Sequence, residues 1–592
     1  MRKASSFLLL LLCAGLTVFS QSKTLTGKVT DTKDGVPMAG VTVSVKGSTV
    51  STQTDQSGNF SLTVPADAKA LLFSYVGFGN EEVPIRNSST LNLGMTSDER
   101  KLQEVVVIGY GTQKKKSVTA AITKVDVSEI NNLVTPSFDK QLAGRAAGVQ
   151  VTVPSGLTNQ EPRIRIRGVN SISYGRDPLI VIDGVPAISG SLLQSNPANG
   201  NINGVANGTS STPVSGTSGN SGISAVSNTN ALSDINPSDI ESIEVLKDGA
   251  ATAIYGSRAA NGVILITTKR GKVGKMNVNY NMYVGTFKPA ERYQLLNAQQ
   301  FVTIANEKYA NASQPAQAFM NAQNTNTDWQ DQVYNKSPFV QSHSVSMDGA
   351  NASTNYYLSF NYLSQDGLII TNNSKRYGLR TMLSHKVNKW VKIGNTLAVS
   401  RVDDNDQNNG GNALGSAMTA SLRGLPNVRV YDTANKKFSG FNVTPDGAAL
   451  GQDANLRAID DNYVNIAYTL AKNKQQSEKY RVLENLFIEI TPITDLTFRS
   501  QASVDYQSSN DFLSYDPLHG DGRGSNGRVD NINLRRNRFV WQNYINYTKS
   551  FGDHNLYFTL GMESQKDEEK YSYGRGTNFS DPFFISNNLI SG

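Results

Sequence analysis

From Lys275 onward the chain alternates. Met276, Val278, Tyr280, Met282 and Val284 fall on one face of an extended strand, and Lys275, Asn277, Asn279 and Asn281 fall on the other. Tyr356, Leu358, Phe360 and Tyr362 oppose Ser359 and Asn361. Phe498, Ala502, Val504 and Tyr506 oppose Thr497, Arg499, Gln501, Ser503 and Asp505. Leu556, Phe558, Leu560 and Met562 oppose Asn555, Thr559 and Glu563. A period of two makes strands with one apolar and one polar face. A soluble antiparallel sandwich reads this way. So does a membrane barrel with lipid outside and water inside. Strand length, aromatics at or near the apolar positions and the polar partners favour the barrel. The pattern is not uniform: in the run from Tyr480 to Ile490, Glu484 interrupts the apolar face.

The two ends and the composition agree with export. Arg2 and Lys3 precede an apolar core from Phe7 to Phe19, and Val18-Phe19-Ser20 offers a small residue before a cut at Gln21. Residues 1–20 therefore read as a secretory leader, too short to span a bilayer. The single cysteine, Cys13, lies inside it, and Leu12 before it argues against lipidation. The mature chain is left with no disulfide and no cysteine-ligated metal. No later run is apolar and long enough for a transmembrane helix, which leaves a soluble β-protein or a closed barrel. With 592 residues several domains are expected. The net charge of +7 is scattered, without a basic stripe, which excludes a nucleic-acid surface. Fifty glycines suit turns between strands.

Three regions follow the leader. Residues 22–96 read as a small β-sandwich: Leu25–Val29, Val41–Val45, Phe60–Val64 and Leu71–Tyr75 are short strands, with a turn over Thr54–Asn59. The pattern resembles the carboxypeptidase-regulatory-like domain, a transthyretin-like module without catalytic residues. Residues 97–116 form a linker. Inside it Glu104, Val105, Val106, Val107, Ile108, Gly109 and Tyr110 make a strand-prone segment that runs into Lys114-Lys115-Lys116. It is either an edge strand of a neighbouring domain or a handle that a partner grips by adding a strand. Residues 117–272 read as a mixed αβ unit. In Arg163-Ile164-Arg165-Ile166-Arg167-Gly168 one face is basic and the other buried. Leu179–Ile182 is a strand closed by Asp183-Gly184-Val185-Pro186. Ile240–Leu246 is another, running into Lys247-Asp248-Gly249, and Ala250–Ile254 is one helical turn. Tyr255-Gly256-Ser257-Arg258-Ala259-Ala260-Asn261-Gly262 leads into Val263–Thr268. Residues 189–230 are a low-complexity Gly/Ser/Asn loop. The glycines lack Walker or dinucleotide spacing, so they serve tight turns rather than phosphate.

These motifs, in this order, resemble the plug of the SusC/RagA group of TonB-linked outer-membrane proteins: Glu104 to Lys116, then Arg163 to Gly168, Asp183 to Pro186, Glu244-Val245-Leu246-Lys247-Asp248-Gly249-Ala250, and Tyr255 to Gly262. The resemblance implies a mainly β chain: a transthyretin-like sandwich, an αβ plug, and an antiparallel transmembrane barrel over residues 273–592. It makes Glu104 to Tyr110 a TonB box and implies TonB with the ExbB–ExbD motor as partner. It also implies a SusD-like surface lipoprotein, an oligosaccharide or peptide cargo, an outer-membrane location and a periplasmic N-terminal domain. Roughly ten strands are expected after Lys275, against about 22 in plugged transporters, so about half a barrel is expected, with more coding sequence beyond Gly592.

Other features carry less. Asp403, Asp404, Asp406 and Asn408 read as a solvated acidic loop that lacks the spacing of an EF-hand. His343, His385, His519 and His554 lie too far apart for a local ligand pair. No triad or carboxylate pair can be assigned, so no enzyme, cofactor or metal is expected. Trp329, Trp541 and Tyr334 read as packing or interfacial aromatics. Two alternatives remain open: a siderophore or cobalamin receptor, and a secreted β-rich adhesion or scaffold protein.

Overall fold

Short strands open the chain, and two of them, over Thr42–Val45 and Asn59–Pro65, bury every second side chain. In the computed structural model the opening strands are β1 (Ser22–Asp31), β2 (Thr42–Val45), β3 (Ser51–Gln53), β4 (Asn59–Pro65), β5 (Ala70–Ser74), β6 (Glu81–Pro84) and β7 (Leu93–Met95). The described residues are 22–32, 35–46, 48, 50–65, 68–75, 78, 81–85, 89–95, 105–108, 111–114, 121–125, 127, 137–153, 156–158, 161–170, 177–188, 232–405, 416–457, 459, 464–552, 554–579 and 585. The expected leader, the stretch 189–230, Glu104, Gly109, Tyr110, Asp406 and Asn408 lie outside them.

The chain divides into two compact units. The first holds the residues up to Val106 with Thr112–Thr119, and the second holds Val107–Gly111 and everything from Ala120. In the first, the sheets β4-β1-β7 and β3-β2-β5-β6 enclose a core that includes Leu25, Val29, Val43, Phe60, Leu62 and Phe73. The Phe60 and Phe73 rings meet edge to face at 5.5 Å. The expected turn forms because the Asp55 carboxylate accepts from the backbone N–H of Ser57 at 2.8 Å and of Asn59 at 2.9 Å.

Strands β8 (Val105–Ile108) and β9 (Gly111–Lys114) form a two-stranded sheet of their own. Among the described residues these two strands pair with each other and with no strand of the neighbouring sheets.

The second unit holds a small αβ body and a large sheet. The body comprises β10 (Ile122–Val125), helix α1 (Phe138–Gln141), β11 (Val149–Thr152), β12 (Arg163–Ile166), β13 (Leu179–Ile182), β14 (Val185–Pro186), β15 (Ile240–Leu246), helix α2 (Gly249–Thr252), a 3-10 turn over Ala253–Ala259, and β16 (Val263–Thr268). Its sheet has the order β10-β15-β16-β13-β14, with β13 parallel to β16, and β11 pairs β12 beside it. Ile164, Ile180, Ile182, Ile243, Val245 and Ile264 belong to one core.

The large sheet is a simple antiparallel meander: β17 (Gly274–Thr286), β18 (Phe339–Ala350), β19 (Thr354–Asp366), β20 (Asn373–Lys386), β21 (Val391–Asn405), β22 (Lys474–Ile493), β23 (Leu496–Tyr515), β24 (Arg528–Phe551) and β25 (His554–Thr577). Among the described residues nine strands stand where roughly ten are expected. Segments 287–338, 367–372, 406–473 and 516–527 join them at one end; 351–353, 387–390, 494–495 and 552–553 make short turns at the other. Helices α3 (Ala298–Asn311), α4 (Ala417–Arg423) and α5 (Ile466–Lys472) lie in the two longest connections. Those connections share a core around Trp329, whose indole N–H donates to the Leu425 carbonyl at 2.8 Å.

Burial in this sheet is inverted relative to a soluble protein. Phe360 is 52% exposed while Ser359 is 1% exposed. Arg376, Arg380, Arg481, Asp505 and Gln542 are buried, and Leu379, Leu383, Leu486, Phe539 and Trp541 are exposed. The polar face lies against the αβ body. The apolar face points away from it. Toward the long-loop end of that face, Tyr280 meets His343 through a 2.8 Å contact from its hydroxyl to Nδ1, and the ring row continues through Tyr362 and Tyr377. Trp390 and Phe551 stand exposed at the short-turn end. Glu484 interrupts the apolar face as expected, and the Asn395 side-chain amide on β21 donates to it. Asp403 and Asp404 depart from expectation: they belong to β21, not a loop, because the alternation continues to Asn405. Arg401 pairs with Asp403 at 2.9 Å, and Lys479 with Asp404 at 3.4 Å.

Candidate functional site: the αβ body and the wall that holds it

The motif residues of the αβ body are placed by tight backbone features. Asp183 and Gly184 have φ of 50° and 86°, the two left-handed positions of a hairpin turn between β13 and β14. That turn lets Asp183 accept from the Thr268 N–H at 3.0 Å and from its hydroxyl. Arg167 (φ 56°) and Gly168 (φ 93°) turn the chain after β12. The alternation of that strand holds: Ile164 and Ile166 are buried, Arg163 is exposed and Arg165 pairs with Asp177. Gly262 has φ 90°, and a Cβ there would lie 2.7 Å from Ile166 Cδ1. Gly256, at φ 65°, breaks the helical path between Tyr255, which is buried, and Arg258.

Asp248 holds two segments at once. One carboxylate oxygen caps α2 by accepting from the Ala251 N–H at 2.9 Å, and the other accepts from the Ala121 N–H at 2.8 Å. Those two backbone donors hold its carboxyl below the usual range. Gly249 opens the helix behind it, and the Lys247 ammonium donates to the Ala147 carbonyl. The Glu244 carboxylate, buried on β15, accepts from the Ser242 hydroxyl at 2.9 Å. Asn261 donates to the Asp177 carbonyl at 3.4 Å.

Two seams fasten the body to the sheet. In the first, Arg380 of β20 reaches Asp183 at 3.5 Å, the Thr268 hydroxyl, and the Lys269 carbonyl at 3.1 Å. Gln542 of β24 donates to the Gly184 carbonyl at 3.3 Å and to Glu563 of β25 at 2.8 Å. Glu563 in turn pairs with Arg258 at 2.7 Å. The structure therefore sets Asp183 against β20, and Gly184 and Arg258 against β24 and β25. In the second seam, Arg481 of β22 grips Asp505 of β23 with two hydrogen bonds of 2.8 and 2.7 Å and meets Asp234 at 3.2 Å. Asp505 also accepts from the Ile188 N–H at 2.8 Å. Arg376 donates to the Ser233 carbonyl at 2.8 Å, and Tyr357 to Asp239 at 2.8 Å. Sequence reasoning does not single out Asp234, Asp239, Arg376, Arg380 or Arg481. The available clue for the arginines was their place on the polar register of the strands.

Near this wall, burial and the neighbouring Asp177 and Asp139 push the Glu161 carboxyl up to about 8. Among the described residues no group of His, Cys, Asp and Glu is disposed to hold a metal ion.

Comparison with known proteins fits this geometry. Residues 25–107 match the family model of the CarboxypepD_reg-like domain, and residues 114–263 that of the TonB-dependent receptor plug domain. TonB-dependent receptor P3 of Formosa agariphila is 30% identical over 97% of this chain and 51% of its own. TonB-dependent receptor SusC of Bacteroides thetaiotaomicron is 37% identical over 62% of this chain and 33% of its own. The fold is similar to the RagAB peptide importer in its open-open state, with a TM-score of 0.63 at 22% identity over 82% of this chain and 52% of that one. The chain spans about half the length of the curated relatives P3, P26 and P39 that it matches. Motif order, a plug seated on the polar face of an antiparallel meander and these matches together place the chain in the SusC/RagA family of TonB-dependent receptors.

Proposed function

We propose that the protein works in the outer membrane as a TonB-dependent importer of an oligosaccharide or peptide, with a SusD-like lipoprotein at its surface. The large sheet is barrel wall, its apolar face in hydrocarbon and its polar face around the plug. The inverted burial of that sheet carries this reading: a soluble sandwich would not leave Phe360 in the open and shut Arg481 inside. The assignment follows the partition proposed from the sequence: leader, sandwich at 22–96, linker at 97–116, plug at 117–272 and wall from 273. The sandwich sits in the periplasm. Glu104 to Tyr110 is the TonB box; Val105–Ile108 within it is already extended and pairs with Gly111–Lys114 on one edge, so a partner strand adds at the other edge or takes the place of β9. An outer membrane has no ATP, so the energy for opening arrives by pulling on the box, which remodels the plug.

The double substitution Val106→Pro and Val107→Pro removes two backbone donors needed for strand pairing. Uptake is expected to vanish while cargo still binds at the surface. Unimpaired uptake in the double variant would overturn the box assignment. The matches to the plug model and to SusC weigh against the adhesion reading and the siderophore reading.

A further inference from the structure

Two of the long connections at one end of the sheet, 406–473 and 516–527, are fastened together by a histidine. His519 is fully buried, as is Asn465 just ahead of α5. Nε2 of His519 accepts from the Asn465 backbone N–H at 2.9 Å, and Nδ1 donates to the Gly447 carbonyl at 2.8 Å. Neither partner can exchange roles, because a backbone amide only donates and a carbonyl only accepts. The two bonds therefore hold the ring neutral, with its proton on Nδ1.

Much else is tied to that ring. Gly447, at φ 78°, brings its turn so close to the other connection that a Cβ there would collide with the Leu518 carbonyl oxygen. The Asn465 side chain donates to the Val430 carbonyl at 2.8 Å and to the Asn442 carbonyl at 3.1 Å. The Tyr468 ring of α5 meets the His519 ring edge to face at 5.5 Å, and its hydroxyl donates to Asp516 at 2.8 Å. The charged groups facing His519 are Asp516 and Arg523 from its own connection and Asp446 from the other. Both carboxylates already have partners: Asp516 holds Tyr468 and the Leu518 N–H, and Asp446 holds the Ala448 N–H and Arg523. Burial outweighs them and holds the imidazole below its ordinary value.

We propose that His519 is an acid-released latch between these connections. A proton taken up from solvent by Nε2 sets an N–H against the Asn465 N–H, and the turn at Gly447, the 516–527 connection and the start of α5 come apart. The sign follows from the depressed folded value: the latch is intact above about 6.5, the ordinary histidine value, and is lost as pH falls through the folded one. The inference goes beyond import and is a property of the connections themselves. Only the statement that the medium outside the cell sets their pH rests on the outer-membrane reading.

Hydrogen exchange of the full chain in detergent, corrected for the chemical rate and followed at pH 7.5 and pH 5.0, tests this. Amides over 442–451, 465–473 and 516–527 are expected to open about tenfold more often at the lower pH, while strands β18 to β21 stay unchanged. His519→Gln keeps an acceptor for the Asn465 N–H but cannot gain a proton, so its exchange is expected to be the same at both. Equal corrected exchange in the wild type would overturn the proposal, as would a response spread evenly over the strands or one that survives in His519→Gln. A protein that stays in solution without detergent would instead refute the membrane reading and leave the latch standing.

Discussion

At the scale of single residues, two carboxylates of the plug are set apart by what surrounds them. Asp248 gains two backbone donors and is held ionised. Because its folded value is depressed, the clasp on Ala121 is complete above the ordinary carboxylate range and is lost only as pH falls through that depressed value. Asp248→Ala removes a helix cap, worth about 1 kcal/mol, and frees the Ala121 amide. Hydrogen exchange over Ala121–Val125 should quicken roughly fivefold; unchanged exchange would show that the clasp bears no load. Glu161 is the opposite case, with its folded value raised to about 8 from 4.5. Its contribution is complete below the unfolded value and lost as pH rises through the folded one. Glu161→Gln is therefore expected to raise the melting temperature at pH 9 and to leave it unchanged at pH 4. An equal shift at both would remove the electrostatic explanation.

At the scale of elements, plug and wall meet through charges that neither could bury alone. Arg481 is 5% exposed and its partner Asp505 is fully buried. Removing one member strands the other in a low dielectric, at a cost of about 3–5 kcal/mol. Asp505→Ala is expected to loosen the plug at Ile188 and at Asp234 and expose it to protease, while the conservative Asp505→Glu restores most of the protection. A plug that resists protease equally in wild type and Asp505→Ala would contradict the seam. The elements themselves were largely legible beforehand. Alternation at Tyr356–Tyr362 and Phe498–Tyr506 located β19 and β23, and the Asp-Gly pair located the β13–β14 turn. The seams were not legible, because Arg481 and Asp234 lie far apart in sequence and meet only once the sheet has set its register. Asp403 and Asp404 read as loop from the sequence because acidic residues at a strand end look like one until a cross-strand cation such as Lys479 is known.

At the scale of the whole molecule, function as a barrel wall requires one orientation of the sheet: apolar face to lipid, polar face to the plug. Site-directed spin labels on β19 measure this most directly, since the single native cysteine, Cys13, belongs to the expected leader. Labels placed one at a time from position 357 to 362, in outer membranes, should be relaxed by oxygen at Leu358, Phe360 and Tyr362 and shielded at Tyr357, Ser359 and Asn361. A strict period of two, with oxygen on the aromatic side, is the predicted result. Accessibility to a water-soluble relaxant at Leu358 and Phe360, with oxygen dissolved in lipid having no preference between the faces, would contradict the account.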